Sequence, residues 1–337
     1  MSPASAKAPS AVTAASNLFV AEHLAEATAL GERLVDLVYG PDAFVAAITE
    51  GFRSIGDPVA ADGVHSVTPG LGPVFGVRLP LMDAAHKAFK RGTHETPTSL
   101  LLDAMGRLLR EEKREVRWFG IWNLARLLPT DPERTWQLLR RAAREADEWI
   151  TVDTLAHPYG EGILLDARRW PELEQLVYSP SRWERRLVGS TLATMPHVHG
   201  VTGGRDRPGR QRPVIEHGLV LVGQLIGDNE PDVQKALSWA LRTLAALDPE
   251  ATTRFLEAEA QTARLTDDGN RAWVIRDSVS KLPAADGARL KAGLDGIRRR
   301  PGAPATSRAA TAAAEFLPMS TTGSLPTAAD SRRNSAP

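Results

Sequence analysis

The chain has 337 residues, a formal net charge of zero and no cysteine, which allows one or two domains with a full core but excludes disulfides, thiolate metal sites and a cysteine nucleophile. Zero net charge also argues against a uniformly basic surface, although a local basic face remains compatible with it. Because no apolar stretch approaches the roughly 20 residues that cross a bilayer, and the start lacks a signal-peptide pattern, we expect a cytoplasmic protein.

Both ends of the sequence are poor in large apolar side chains. The first 16 residues are rich in Ala, Ser and Pro, and the chain after about Arg300 is rich in Ala, Thr, Ser and Pro. Such compositions cannot build a hydrophobic core. The sequence therefore predicts a disordered tail over 1–16, a folded domain over 17–282 and a largely disordered tail over 283–337.

Within the body of the chain, apolar residues recur at helical spacing and strand-like alternation is scarce, so we predict an all-α fold. Three predicted helix starts place a capping side chain before a proline that suits the first helical position: Asp131-Pro132, Ser179-Pro180 and Asp248-Pro249. Pro132, Pro180 and Pro231 follow one another at intervals of 48 and 51 residues. HEAT repeats have roughly 40 to 47 residues, so we expect HEAT-like repeats stacked as a curved α-solenoid with a concave face.

Arginine dominates the segment from Arg107 to Arg144. The planar guanidinium group matches phosphate oxygens, so this bias is compatible with a nucleic-acid partner. Composition alone favours an ordinary solvated helix surface.

The segment Asp147–Gly160 places Trp149 four residues before Asp153, so both project from one face of a predicted helix. A carboxylate beside an indole in a partly dry cleft would strongly stabilise a developing cation. A surface carboxylate or a helix cap is the alternative interpretation of Asp153.

In the next predicted helix, two arginines share a side with small residues: Arg182, Arg186, Gly189, Ser190 and Ala193. Small residues would let a bulky polymer such as a DNA backbone approach this helix. They would equally let another helix pack tightly against it, and the sequence does not decide between the two.

A glycine- and arginine-rich segment from Val198 to Arg212 predicts a loop between repeats. This loop could act as a flexible phosphate clamp or be a mere insertion. His197 and His199 have no carboxylate or cysteine neighbours at a ligand spacing, so we predict no metal site here.

The segment Pro231–Leu247 contains a complete apolar stripe that does not include Trp239. Lys235 lies four residues before this tryptophan and Arg242 lies three after it. An aromatic ring flanked by cations can pack against a sugar or base while the cations meet phosphates. Packing of Trp239 against a neighbouring repeat is the alternative.

Three motifs occur in a fixed order: Trp149 four residues before Asp153, then Trp183-x-x-Arg186, then Gln-Lys-Ala-x-x-Trp-x-Leu-Arg from Gln234 to Arg242. In order and spacing they resemble the AlkD-like HEAT-repeat alkylpurine DNA glycosylases, a DNA alkylation-repair family. The similarity covers roughly Gly76 to Phe255. Glu148 stands where that family often has an aromatic residue.

The resemblance implies a DNA glycosylase that excises cationic N3- or N7-alkylated purines from double-stranded DNA in base excision repair, without base flipping. Trp149 and Trp239 would frame the deoxyribose of the lesion and Asp153 would lie nearest the scissile bond. The expected DNA-binding residues are Arg182, Arg186, Lys235 and Arg242. We expect a nucleoid-associated monomer that needs no cofactor and no metal.

The alternative hypothesis is a non-catalytic HEAT-repeat module that binds branched or damaged DNA, or a protein. Asp153 discriminates between the two hypotheses, because such a module would not need this carboxylate.

Overall fold

The computed structural model describes residues 11–198 and 207–316, which contain sixteen α-helices and no strand. This confirms the predicted all-α class. The helices are α1 (Ala11–Leu37), α2 (Pro41–Ser54), α3 (Pro58–Val67), α4 (Leu79–Gly92), α5 (Thr98–Leu108), α6 (Arg114–Leu127), α7 (Pro132–Glu145) and α8 (Trp149–Leu165). They continue with α9 (Trp170–Gln175), α10 (Arg182–Thr194), α11 (Arg207–Leu225), α12 (Pro231–Leu247), α13 (Pro249–Thr266), α14 (Gly269–Ser278), α15 (Ala284–Gly293) and α16 (Arg308–Phe316). None of these helices is long and apolar enough to span a membrane.

The chain divides into two compact units. The first unit comprises Met1–Trp170 and Ser190–Gly203, and the second comprises Pro171–Gly189 and Gly204–Pro337. The division therefore falls inside α10, whose first eight residues belong to the second unit.

In the first unit, α4, α6 and α8 run side by side and in parallel. The side chain of Arg126 on α6 donates to Thr93 after α4, and Trp118 on α6 donates to Thr151 on α8, in each case to a residue 33 positions away. Arg114, at the beginning of α6, donates to Asp147, just before α8, again over 33 positions. A constant offset of this kind is typical of stacked helical repeats.

The second unit has the same arrangement. Gln234 and Ser238 on α12 donate to Asn270 and to the carbonyl of Val274 on α14, both 36 positions away. Both partners advance together along the chain, so α12 and α14 are parallel. Arg186 on α10 donates to the carbonyl of Asp232, which places the beginning of α12 beside α10.

Two of the three predicted helix starts are confirmed. The carboxylate of Asp131 accepts a hydrogen bond from the backbone of Arg134, and that of Asp248 accepts one from Ala251. The prediction at Ser179-Pro180 is wrong, because α10 begins two residues later at Arg182. Ser179 instead accepts from the backbone of Ser181 in a turn that delays the helix.

The loop predicted over Val198–Arg212 is wrong in its last part. Residues 199–206 lie outside the described residues, but α11 already begins at Arg207. Proline at the second position of this helix is compatible with helix initiation, because the first turn leaves its N–H groups unpaired. Further along, α11 buries Val214, Leu221 and Leu225.

The chain after Leu282, for which the sequence predicts a largely disordered tail, contains α15 and α16 in the structure. Its buried residues include Leu290, Leu294, Ile297, Ser307 and Ala309. Between the two helices, the segment 297–307 crosses the beginnings of α12 and α14. There Thr306 donates to the carbonyl of Gly227 at 2.8 Å, and Asn270 donates to that of Pro304 at 3.2 Å.

Candidate DNA-binding and catalytic site

Glu148 determines where α8 begins. Its carboxylate accepts hydrogen bonds from the backbone N–H groups of Ile150 and Thr151, at 2.5 and 2.8 Å. The residue is only 2% exposed, and burial raises the pKa of its carboxyl group. The cap makes Trp149 the first residue of the helix. Sequence reasoning noted Glu148 only as a departure from the family, although a glutamate before a helical pattern is compatible with a cap.

Asp153 lies one turn after Trp149 on α8, and both side chains are half-buried. The hydroxyl of Ser190 donates to Oδ1 of Asp153 at 2.6 Å, and Ser190 itself is fully buried. Because Asp153 stands inside the helix, it is not a helix cap. A hydroxyl that donates to a carboxylate fixes its orientation without neutralising its charge, so this carboxylate is a held negative charge in the first unit.

The two arginines of α10 differ in exposure. The guanidinium of Arg182 is exposed, 4.6 Å from the ring of Trp183 and 3.5 Å from the carboxylate of Glu230. Arg186 is only 6% exposed and donates to the carbonyl of Asp232 at 2.8 Å. Arg186, one of the four expected DNA-binding residues, is therefore engaged with the first turn of α12 in this structure.

The small residues of α10 serve helix packing. A Cβ atom on Gly189 would lie 2.7 Å from the carbonyl carbon of Ala236 and 2.9 Å from its Cβ, since α12 packs directly against this position. Ser190 and Ala193 are fully buried. Of the two interpretations that the sequence left open, approach of a DNA backbone to Gly189 is wrong, and tight packing of another helix is confirmed.

Replacing Gly189 by alanine is expected to destabilise the protein by about 1 to 3 kcal/mol, because the added methyl group overlaps backbone atoms that cannot move independently. Gly63 is a matched control, because it also lies in a helix but has open space where a Cβ would be. Gly63→Ala should be neutral or stabilising. Chemical denaturation of both variants measures the difference, and equal stabilities would contradict the packing assignment.

The helix predicted over Pro231–Leu247 is confirmed as α12. Its apolar stripe is buried except for Leu247, which is half-buried. Trp239 is half-buried and Lys235 is exposed. Arg242 donates to the carboxylate of Asp277 at 2.7 Å. No carboxylate in the described part of the chain lies within ion-pair distance of Lys235, so Lys235 contributes an uncompensated positive charge beside Trp239.

The seven predicted site residues are divided between the two units. Trp149 and Asp153 belong to the first unit, while the second contains Trp239 and the four basic residues Arg182, Arg186, Lys235 and Arg242. Within the described residues, no group of three His, Asp or Glu side chains could hold a metal ion.

Comparison with known proteins places the chain in a family. The family model described as DNA alkylation repair enzyme matches residues 48–282. Among solved structures, the chain is similar to a predicted DNA alkylation repair enzyme from Enterococcus faecalis, with 14% identity and a TM-score of 0.47 over 73% of this chain and 98% of that one. No curated protein matches the chain. Because the family model spans more than two thirds of its residues, the chain belongs to the DNA alkylation repair enzyme family.

Proposed function

We propose that the protein is a DNA glycosylase that hydrolyses the N-glycosyl bond of alkylated purines in duplex DNA. The observation that carries this proposal is the carboxylate of Asp153, held by Ser190 one turn from Trp149. Membership of an alkylation-repair family supplies the substrate class, and the held carboxylate supplies a group that can act on the sugar.

The chemistry suits such a site. A purine alkylated at N3 or N7 carries a positive charge, so it departs readily with the electron pair of the bond between C1′ and N9. The sugar then develops oxocarbenium character, which a fixed carboxylate stabilises more strongly than it stabilises the neutral sugar. Water adds to C1′ and loses a proton. Asp153 can position that water or accept its proton.

Tryptophan side chains complete the proposed catalytic set. The indoles of Trp149 and Trp239 would pack against the deoxyribose and exclude water from the developing cation. Excision would proceed without base flipping, since a cationic base needs no pocket of its own to become a good leaving group. This differs from the extrusion that most base-directed enzymes require.

Phosphate contacts would come from the basic residues of the second unit. Lys235 is exposed and has no carboxylate partner within the described residues, whereas the charge of Arg242 is offset by Asp277. A phosphate contact by Arg186 would require its bond to the carbonyl of Asp232 to be shared or exchanged. We therefore assign Lys235 the largest share of the binding energy.

Lys235→Ala is expected to weaken duplex binding and to make the slope of log K against log salt concentration shallower by about 0.9, the contribution of one neutralised phosphate. Arg242→Ala serves as the matched variant. It should change the slope less, because Asp277 already offsets the charge of Arg242. Fluorescence anisotropy at several salt concentrations measures both slopes. Equal slopes for the two variants would show that Lys235 contributes no more to phosphate binding than Arg242 does.

The glycosylase activity is tested by incubating the protein with methylated duplex DNA and measuring the release of free 7-methylguanine and 3-methyladenine. Release above the spontaneous rate is the expected result. DNA binding without release from any of several alkylated duplexes would overturn the proposal and favour a non-catalytic DNA-binding module.

A further inference from the structure

A third tryptophan lies on the second unit in a setting similar to that of Trp239. Trp273 on α14 is half-buried, and the guanidinium carbon of Arg299 lies 5.4 Å from the centre of its ring. Arg299 also donates to the side-chain oxygen of Gln234 on α12 at 2.8 Å. The segment 297–307 thus brings an arginine from beyond the family-matched residues to the beginnings of two helices.

Trp239 and Trp273 project from the same side of the α12 and α14 pair. Ser238 and Val274 mark the facing sides of these parallel helices. Trp239 follows Ser238, and Trp273 precedes Val274. Successive side chains on an α-helix are rotated by about 100° around its axis, in the same sense on both parallel helices. Because the two helices face each other, the residue after Ser238 and the residue before Val274 point to the same side of the pair. That side also carries Lys235.

The arginines of this segment differ in whether a carboxylate offsets their charge. Of the three consecutive arginines 298–300, Arg298 lies 3.4 Å from Asp295 and Arg300 pairs with Asp267. Arg299 has no carboxylate within ion-pair distance among the described residues, and its partners are a neutral amide oxygen and an indole ring. An exposed, uncompensated guanidinium on a tryptophan face is suited to an anionic ligand.

Each of the three parallel helices of the second unit therefore carries a tryptophan with a nearby cation: Arg182 with Trp183, Lys235 with Trp239, and Arg299 with Trp273. We propose that Trp273 and Arg299 form an additional nucleotide contact for duplex DNA. The indole packs against a deoxyribose and the guanidinium binds the adjoining phosphate, on a nucleotide neighbouring the one at Trp239. This inference rests on the proposed function and extends its binding surface.

The test compares the affinity and salt dependence of an unmodified duplex for Arg299→Gln and Arg300→Gln, which remove the same charge from adjacent exposed positions. Arg299→Gln should make the slope of log K against log salt shallower by about 0.9, while Arg300→Gln leaves the slope unchanged. Trp273→Ala should weaken binding without changing the slope, because it removes packing rather than charge. Equal slopes for the two arginine variants would overturn the inference.

Arg299→Lys separates a phosphate contact from a structural role. Lysine keeps the charge but lacks the planar guanidinium that lies over Trp273, so its slope should equal that of the wild type even if its melting temperature falls. A slope reduced as much as in Arg299→Gln would assign Arg299 to the stability of the helix ends and overturn the inference. A wild-type protein without salt-sensitive DNA affinity would instead overturn the proposed function itself.

Discussion

Asp153→Asn is expected to slow base release by on the order of 100-fold to 1000-fold, the usual effect of removing one fixed electrostatic partner from an active site. Asparagine keeps the size of the side chain and can still accept a hydrogen bond from Ser190, but it carries no negative charge. Affinity for DNA should be unchanged or slightly higher, because a carboxylate near phosphates repels the ground-state complex. The carboxylate contributes mainly when positive charge develops on the sugar.

Single-turnover release of 7-methylguanine from a defined duplex, with affinity measured separately, tests this expectation. Asp103→Asn is a suitable control, because it also removes one carboxylate. Asp103 is exposed and lies on α5, which is distant in sequence from the helix that carries Asp153. Trp239→Ala should lower both affinity and rate through lost packing. Unchanged release by folded Asp153→Asn would exclude Asp153 as the catalytic carboxylate.

Truncation after Arg300 is expected to destabilise the second unit on the order of 3 kcal/mol, the cost of a few buried hydrogen bonds. The deletion removes the bond from Thr306 to the carbonyl of Gly227 and the buried residues Ser307 and Ala309. It also uncovers a buried charge cluster in which Arg271 pairs with Asp268 and Glu259. Burial lowers the pKa of Arg271 to about 10.

Truncation after Phe316 is the matched control, because it keeps α16 and every contact just named. It should melt at the temperature of the full chain, while the shorter protein melts at a lower temperature. Identical melting temperatures for the two truncations would show that the segment 301–316 contributes nothing to stability.

The sequence predicted the class of the fold and the best-marked helices, because these depend on local signals. The apolar spacing and the initial proline of α12 define a helix regardless of its neighbours, and Asp131 and Asp248 cap their helices by bonds to residues three positions away. Ser179 does not cap a helix, because its side chain instead closes a local turn with Ser181. This turn is equally compatible with the sequence.

The sequence did not predict features that depend on contacts between residues far apart along the chain. Ser190 looked like a small residue that leaves room for DNA, whereas it lies 37 positions from Asp153 in sequence and donates to it in space. The alanine- and threonine-rich chain after Arg300 looked disordered by composition. The hydroxyl of Thr306 nevertheless donates to Asp268, the cap of α14, and its carbonyl accepts from Arg271, both more than 30 residues earlier. The catalytic and DNA-binding roles of the site residues stay predictions.

The close approach of α10 and α12 at Gly189 leaves no room for a side chain at this position of α10. Because only the methyl group of Ala236 lies between the two backbones, no change of rotamer at this contact can alter the spacing of the helices that carry Trp183 and Trp239. Under the proposed function, a duplex that contacts both helices must adapt its own geometry to this fixed spacing. The energy of that adaptation depends on how easily each base-pair step bends or twists. We therefore expect the enzyme to discriminate among flanking sequences through the stiffness of the DNA, without reading a single base edge.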